Sequence, residues 1–176
     1  MLADSAYMLV FRIVHITAGV LWVGSVFLLS VFVAPAAEAI APAGAPLMGE
    51  LLGKRRLVDR IIGLGAITVV GGLFLYWHDW HLFPSFGDWL SSRFGGTLTI
   101  GMVAALVALG IGGSITRPTV RRMLALGAEV AASGAPPTPE VAAQIGGMQR
   151  RLKVAARVGL GFLLFAVVAM SVARYL

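Results

Sequence analysis

The chain has 176 residues, of which 59% are hydrophobic and 12% are charged, and its formal net charge is +6. With a mean hydropathy of +0.90, it is too apolar for a single soluble core, and this composition predicts an integral membrane protein. The absence of cysteine excludes disulfides, thiolate metal ligands and iron–sulfur clusters.

Four apolar segments are long enough to cross the hydrocarbon layer, which takes a helix of about 20 residues. We place the spans at about 8–33, 58–77, 97–115 and 154–173, with loops at about 35–57 and 117–153. The first span lacks a basic n-region and is longer than a signal-peptide core, so we expect it to be retained. Short connections predict one domain, 1–176, folded as an all-α antiparallel bundle of four transmembrane helices.

The distribution of basic residues predicts the orientation of this bundle. The loops at 35–57 and 117–153 and their flanks carry most of the lysine and arginine, whereas the connection near 78–96 has only Arg93 beside two aspartates. By the positive-inside rule, the two basic loops are cytoplasmic and both termini are outside. Aromatic residues that favour headgroups map to the predicted outer boundary: Tyr7, Phe11, Tyr76, Trp77, Trp80, Trp89 and Tyr175. We expect contact with anionic lipid and no nucleic-acid partner, since the basic face lacks stacking aromatics.

The third loop carries helix signals of its own. A helix is predicted from Arg117-Pro118 through Val130, followed by a break at 133–137. Thr138 then resembles an N-cap with proline at the first helical position, and the helix that it begins is expected to run into span four. At the cytoplasmic mouth of span two, we expect Asp59 to form an ion pair with Arg157 or to contact solvent.

His15 is the histidine that the sequence places inside a membrane span. Arg12, His15, Gly19 and Trp22 fall on one stripe of the first helix. Ionisable groups at this depth are costly and raise a functional hypothesis by default. With the N-terminus outside, His15 lies in the outer leaflet and Arg12 lies one turn nearer to the surface.

This stripe suits haem b. A neutral His15 imidazole can bind the iron, Arg12 can pair with a propionate, Gly19 leaves space for the ring, and Trp22 forms a pocket wall. The alternative is that His15 is hydrogen-bonded to a neighbouring helix and supports helix association without a ligand.

Two further histidines lie at the outer end of span two, in the segment Tyr76-Trp77-His78-Asp79-Trp80-His81. Either His78 or His81 could be a second iron ligand, or the two could bind copper or zinc with Asp79. An aromatic belt with polar tips explains the same residues without a metal. Because no other span contains a histidine, a buried bis-histidine site is disfavoured.

The run Arg12-Ile13-Val14-His15-Ile16-Thr17-Ala18-Gly19-Val20-Leu21-Trp22-Val23-Gly24, with Pro35 closing it, resembles the first helix of the CopD-like superfamily. This group includes copper-resistance D proteins, four-helix protoporphyrinogen oxidases, the membrane domain of cytochrome-linked urate oxidase, and an uncharacterised four-helix branch to which the chain is most similar. The resemblance implies a redox role associated with haem or copper, with His15 as the first-helix histidine. The third-helix lysine of the protoporphyrinogen oxidases is missing here, which argues against porphyrinogen oxidation.

Three hypotheses follow for a protein that we expect in the bacterial inner membrane. The first is a membrane-embedded b-haem protein that transfers electrons near the outer face, with an unidentified electron donor. The second is a non-catalytic accessory subunit of a larger membrane complex. The third is copper handling at His78 and His81. Glycine-rich faces on spans two, three and four are compatible with close helix packing and with a homodimer.

Overall fold

The computed structural model describes the backbone of residues 2–176 and the side chains from Ala6 onwards. This part of the chain is helical and contains no β-strand. The α-helices are α1 (Leu2–Leu28), α2 (Ala34–Ala39), α3 (Gly44–Gly49), α4 (Leu57–Trp80), α5 (Phe86–Ser91), α6 (Arg93–Ile111), α7 (Arg117–Ser133) and α8 (Pro139–Val172). Short π-helical segments lie at Leu29–Val33, Glu50–Lys54 and Gly112–Thr116, and a 3₁₀ turn at Ala173–Tyr175 ends the chain.

Four of the resulting helices are long and apolar enough to cross a membrane, which confirms that prediction. They are Ala6–Ala39, Leu57–Trp80, Arg93–Ser133 and Pro139–Tyr175. Two of them pass without a break through π-helical segments, since α1 continues into α2 and α6 into α7. The 41-residue third helix is about 60 Å long at 1.5 Å per residue. It is therefore about twice as long as the hydrocarbon layer is thick.

The bundle is built from two closely packed helix pairs. Helix α1 packs most extensively against α4, and α6 against α8. A small apolar core joins the pairs through one buried side chain from each helix: Trp22, Ile61, Ala108 and Leu163. This core positions the first pair, which carries the residues of the candidate site.

Glycines allow the close approach within both pairs. A Cβ at Gly65 would lie 2.7 Å from Cε2 of Trp22, and a Cβ at Gly101 would lie 3.0 Å from Cγ of Met170. Because apolar burial gives little incentive for helices to associate in lipid, such close contacts are a main source of stability. At these positions the predicted role of glycine in tight packing is confirmed.

The start of α8 also confirms the sequence prediction. Thr138 is the N-cap, its hydroxyl oxygen accepts a hydrogen bond from the backbone N–H of Val141 at 3.4 Å, and Pro139 occupies the first turn. The helix then continues unbroken to Val172. Near its middle, Lys153 forms an ion pair with Glu38 of α2 at 2.6 Å, which links the first loop to α8.

The first loop ends in a charged π-helical segment. Glu50 accepts ion pairs from Lys54 at 3.2 Å and Arg55 at 3.1 Å. The hydrogen bond from Lys54, followed by that from Arg55, holds the pKa of the Glu50 carboxyl below its usual value. Arg56 then adopts a left-handed backbone conformation with a φ of 50°, and α4 begins at the next residue.

Candidate functional site

His15 lies half-buried on α1, where this helix meets α4. Its Nδ1 atom is 2.7 Å from the backbone carbonyl oxygen of Thr68. A carbonyl can only accept a hydrogen bond, so the proton of the neutral imidazole is on Nδ1. The Nε2 atom then carries the lone pair, which is the form of histidine that ligates metals.

Local sequence on α4 creates the space for this imidazole. A Cβ at Gly72 would lie 2.8 Å from Cε1 of His15, and one at Gly71 would lie 3.4 Å from its Cβ. Thr68 is buried, and its hydroxyl donates to the carbonyl of Leu64 at 2.8 Å. Sequence reasoning missed Thr68, although a threonine three residues before the Gly71-Gly72 pair in an apolar span was a usable signal.

The other residues of the predicted stripe lie along α1 at different levels. Gly19 lies one turn from His15. A Cβ at Gly19 would be 3.4 Å from Cγ2 of Thr68, so the absence of a side chain lets α4 pack close to α1. Trp22 is 4% exposed in the core, about 10 Å along the helix from His15 at 1.5 Å per residue. Arg12 is exposed on the other side of His15, towards the N-terminus.

His78 and His81 face different neighbours at the end of α4. The His78 ring stacks on Tyr7 with the centroids 5.9 Å apart, and its Nδ1 is 3.5 Å from Oδ1 of Asp79. His81 is exposed and donates from Nδ1 to the carbonyl of its own helix at Trp77, 2.8 Å away. Side chains from Ala6 onwards form no group of three or more histidine, aspartate or glutamate residues that could hold a metal ion.

His15 and His78 have different neighbours in the structure. His15 contacts Gly72, and His78 follows Gly72 by six residues, a rise of about 9 Å along α4. In this arrangement His15 can supply one ligand to an iron, and His78 lies at a separate level.

Neither the inner cavity nor the groove between α6 and α8 in the spanning region is lined by His15. An inner cavity of about 100 Å³ lies between all four long helices and contacts Trp22 and Leu163. A groove of about 470 Å³ between α6 and α8 is lined by apolar side chains such as Phe162 and Phe165. Trp22 thus lines a cavity, but this cavity lies about two helical turns further along α1 than His15.

A second polar cluster joins α4 to α7. Asp59 accepts a hydrogen bond from Nε of Arg117 at 2.6 Å and one from Nε of Arg56 at 3.2 Å, and Nη2 of Arg121 is 3.5 Å away. The prediction that Asp59 forms an ion pair with Arg157 was wrong. The π-helical segment Gly112–Thr116 carries the third long helix directly into α7, and so Arg117 and Arg121 reach the first turn of α4.

The fold and this site define an all-helical protein with four membrane-length helices and one imidazole anchored between the first two. Comparison with protein-family models, with curated proteins and with solved structures finds no match.

Proposed function

We propose that this chain is an integral membrane protein that binds haem b through Nε2 of His15 and transfers electrons near the outer face of the membrane. The observation that carries the proposal is the 2.7 Å contact between Nδ1 of His15 and the Thr68 carbonyl. Histidines that ligate metals usually donate their other ring N–H to a carbonyl or carboxylate, which fixes the ring and raises its basicity. The likeness of the Arg12–Gly24 run to the CopD-like superfamily supports the same role.

Haem b would supply an iron that gains and loses one electron. The chain's own residues would hold and orient it. His15 presents its lone pair from a ring fixed by Thr68, and Arg12, exposed one turn nearer to the N-terminus, is placed to pair with a propionate. His78 contacts Tyr7 and His81 contacts the carbonyl of Trp77, so neither is included among the residues that would hold the haem.

The proposed topology is an antiparallel bundle with both termini outside, in the bacterial inner membrane. Contacts within the first pair support it, because residue numbers fall along α4 as they rise along α1: Tyr7 donates to the carbonyl of Phe74, His15 to that of Thr68, and Trp22 packs on Gly65. The basic loops support the orientation by the positive-inside rule.

A reduced-minus-oxidised visible spectrum, with pyridine haemochrome quantitation, tests the haem proposal on full-length protein expressed with haem supplied. We expect a b-type band at about one haem per chain that is lost in His15→Ala. His81→Ala is the matched control, because His81 is exposed and bonds to its own helix. A folded, colourless wild-type protein, or equal bleaching in both variants, would contradict the proposal.

A second candidate function is that of an accessory subunit in a larger membrane complex. The observation that favours it is the exposure of the first helix: 11% of its apolar window is buried, against 33% for the last helix. The His15–Thr68 hydrogen bond would then serve helix association alone.

Because the chain has no cysteine, Val20→Cys can report on this face by cross-linking, with Val168→Cys on α8 as the control. Cross-links to another subunit from Val20 only, in a colourless protein, would favour this role.

Copper handling at His78 and His81 stays a third hypothesis. In the structure these side chains turn to Tyr7 and to Trp77, respectively. Copper binding that is lost in both His78→Ala and His81→Ala, and kept in His15→Ala, would support it.

A further inference from the structure

The cluster of Arg56, Arg117 and Arg121 around Asp59 lies where two membrane-length helices leave the apolar region. Arg56 immediately precedes α4, Asp59 is in its first turn, and the other two arginines are in the first two turns of α7. The long helices themselves give the depth, because residues at the ends of apolar spans lie among the lipid headgroups. The cluster therefore faces the headgroup layer whichever way the bundle is oriented.

The charges of this cluster are not balanced. Three guanidinium groups share one carboxylate within 3.5 Å, so two positive charges are left over. Each guanidinium has five N–H donors, far more than the two oxygens of Asp59 can accept. The arginine side chains are 43% to 67% exposed, whereas Asp59 is 23% exposed. The Asp59 carboxylate thus holds the three arginines close together, and most of their N–H donors remain free.

Free guanidinium donors held close together match the oxygens of a phosphate group. Arginine binds phosphate through two parallel N–H···O bonds, and it is less strongly hydrated than lysine. Exposed ion pairs such as those to Asp59 contribute little to stability, so the arginines can turn to a second anion at little cost. In the headgroup layer, the anion that is always present is the phosphate of a phospholipid.

We propose that the cluster of Arg56, Arg117 and Arg121 is a binding site for the phosphate of an anionic phospholipid, with Asp59 as the residue that positions the three arginines. This goes beyond general attraction of a basic surface to the membrane, because it assigns one lipid to one place. It is also independent of the haem proposal, which concerns the α1–α4 contact at His15.

Native mass spectrometry of the full-length protein in mild detergent tests the site. Phosphatidylglycerol is added in one arm, phosphatidylcholine in the second and inorganic phosphate in the third. We expect one phosphatidylglycerol to be retained per chain, and Arg121→Gln to weaken its binding about fivefold, as follows from about 1 kcal/mol per basic residue near the surface. Arg56→Gln, on the other side of the carboxylate, should have the same effect and serves as a second variant should Arg121→Gln fail to fold.

Arg150→Gln is the matched control, because Arg150 is an exposed arginine of α8 outside the cluster. Equal weakening in the cluster variants and in Arg150→Gln would show diffuse attraction and overturn the proposal. Equal retention of phosphatidylcholine would overturn it as well, since the leftover charge would then have no role. Binding of inorganic phosphate as tight as that of phosphatidylglycerol would assign the site to a soluble anion and overturn the lipid assignment.

Discussion

At the scale of single residues, the position of His15 depends on two glycines that face it. The imidazole lies where a side chain at Gly72 would be, and the backbone of α1 lies against Gly71. Only this close approach brings Nδ1 within 2.7 Å of the Thr68 carbonyl. The orientation of the ring is therefore a property of the helix pair, and a change on α4 should alter it without any change to His15.

Gly72→Ala tests this dependence. The new Cβ would lie 2.8 Å from Cε1 and 2.9 Å from Nδ1 of His15, so the ring must move and the hydrogen bond to Thr68 must break or lengthen. We expect a loss of about 1–3 kcal/mol in stability from overpacking, measured by thermal unfolding in detergent, together with a loss of any haem band.

The control for this variant is Gly63→Ala on the same helix, where a Cβ meets nothing within 4 Å. This change should leave stability unchanged or raise it by up to about 1 kcal/mol, because alanine is the better helix former. If Gly72→Ala were as well tolerated as Gly63→Ala, the α1–α4 contact would be looser than the structure describes.

At the scale of secondary-structure elements, the side-chain N-cap at Thr138 sets where α8 begins. Its 34 residues span about 50 Å, which exceeds the hydrocarbon layer of about 30 Å. The N-terminal part therefore projects beyond the apolar region as a stem. In that region water competes for backbone hydrogen bonds, so the N-cap decides how far the helix reaches.

Thr138→Ala should fray this stem. The loss of the hydroxyl leaves the N–H of Val141 without its cap, and N-cap removal typically costs about 1 kcal/mol. We expect hydrogen exchange in the first turns of α8 to speed up about fivefold, with no change in the spanning part. Thr138→Ser keeps the capping oxygen, so its first turns should exchange at the wild-type rate. Faster exchange in Thr138→Ser as well would show that this cap does not stabilise the stem.

The difference between what the sequence predicted and what it missed follows the range of the interactions. The four apolar helices and the Thr138 cap depend on composition and on near neighbours along the chain, and they were predicted. The partner of Asp59 depends on how the third long helix continues through Gly112–Thr116, which delivers Arg117 from 58 positions away. The contact of His15 with Thr68 uses a backbone carbonyl, which any residue provides, so no side-chain pattern identifies it.

At the scale of the whole molecule, the orientation in the membrane can be measured because the chain has no cysteine. Leu82→Cys lies in the connection after α4 and Ala135→Cys lies between α7 and α8, and both positions are exposed. Since the lysines and arginines flank the loops at 35–57 and 117–153, the positive-inside rule puts residue 135 in the cytoplasm and residue 82 outside. A membrane-impermeant maleimide should therefore label Leu82→Cys in intact cells and Ala135→Cys only after lysis. The reverse pattern would show the opposite orientation, which places His15 in the inner leaflet and moves the proposed electron transfer to the cytoplasmic side.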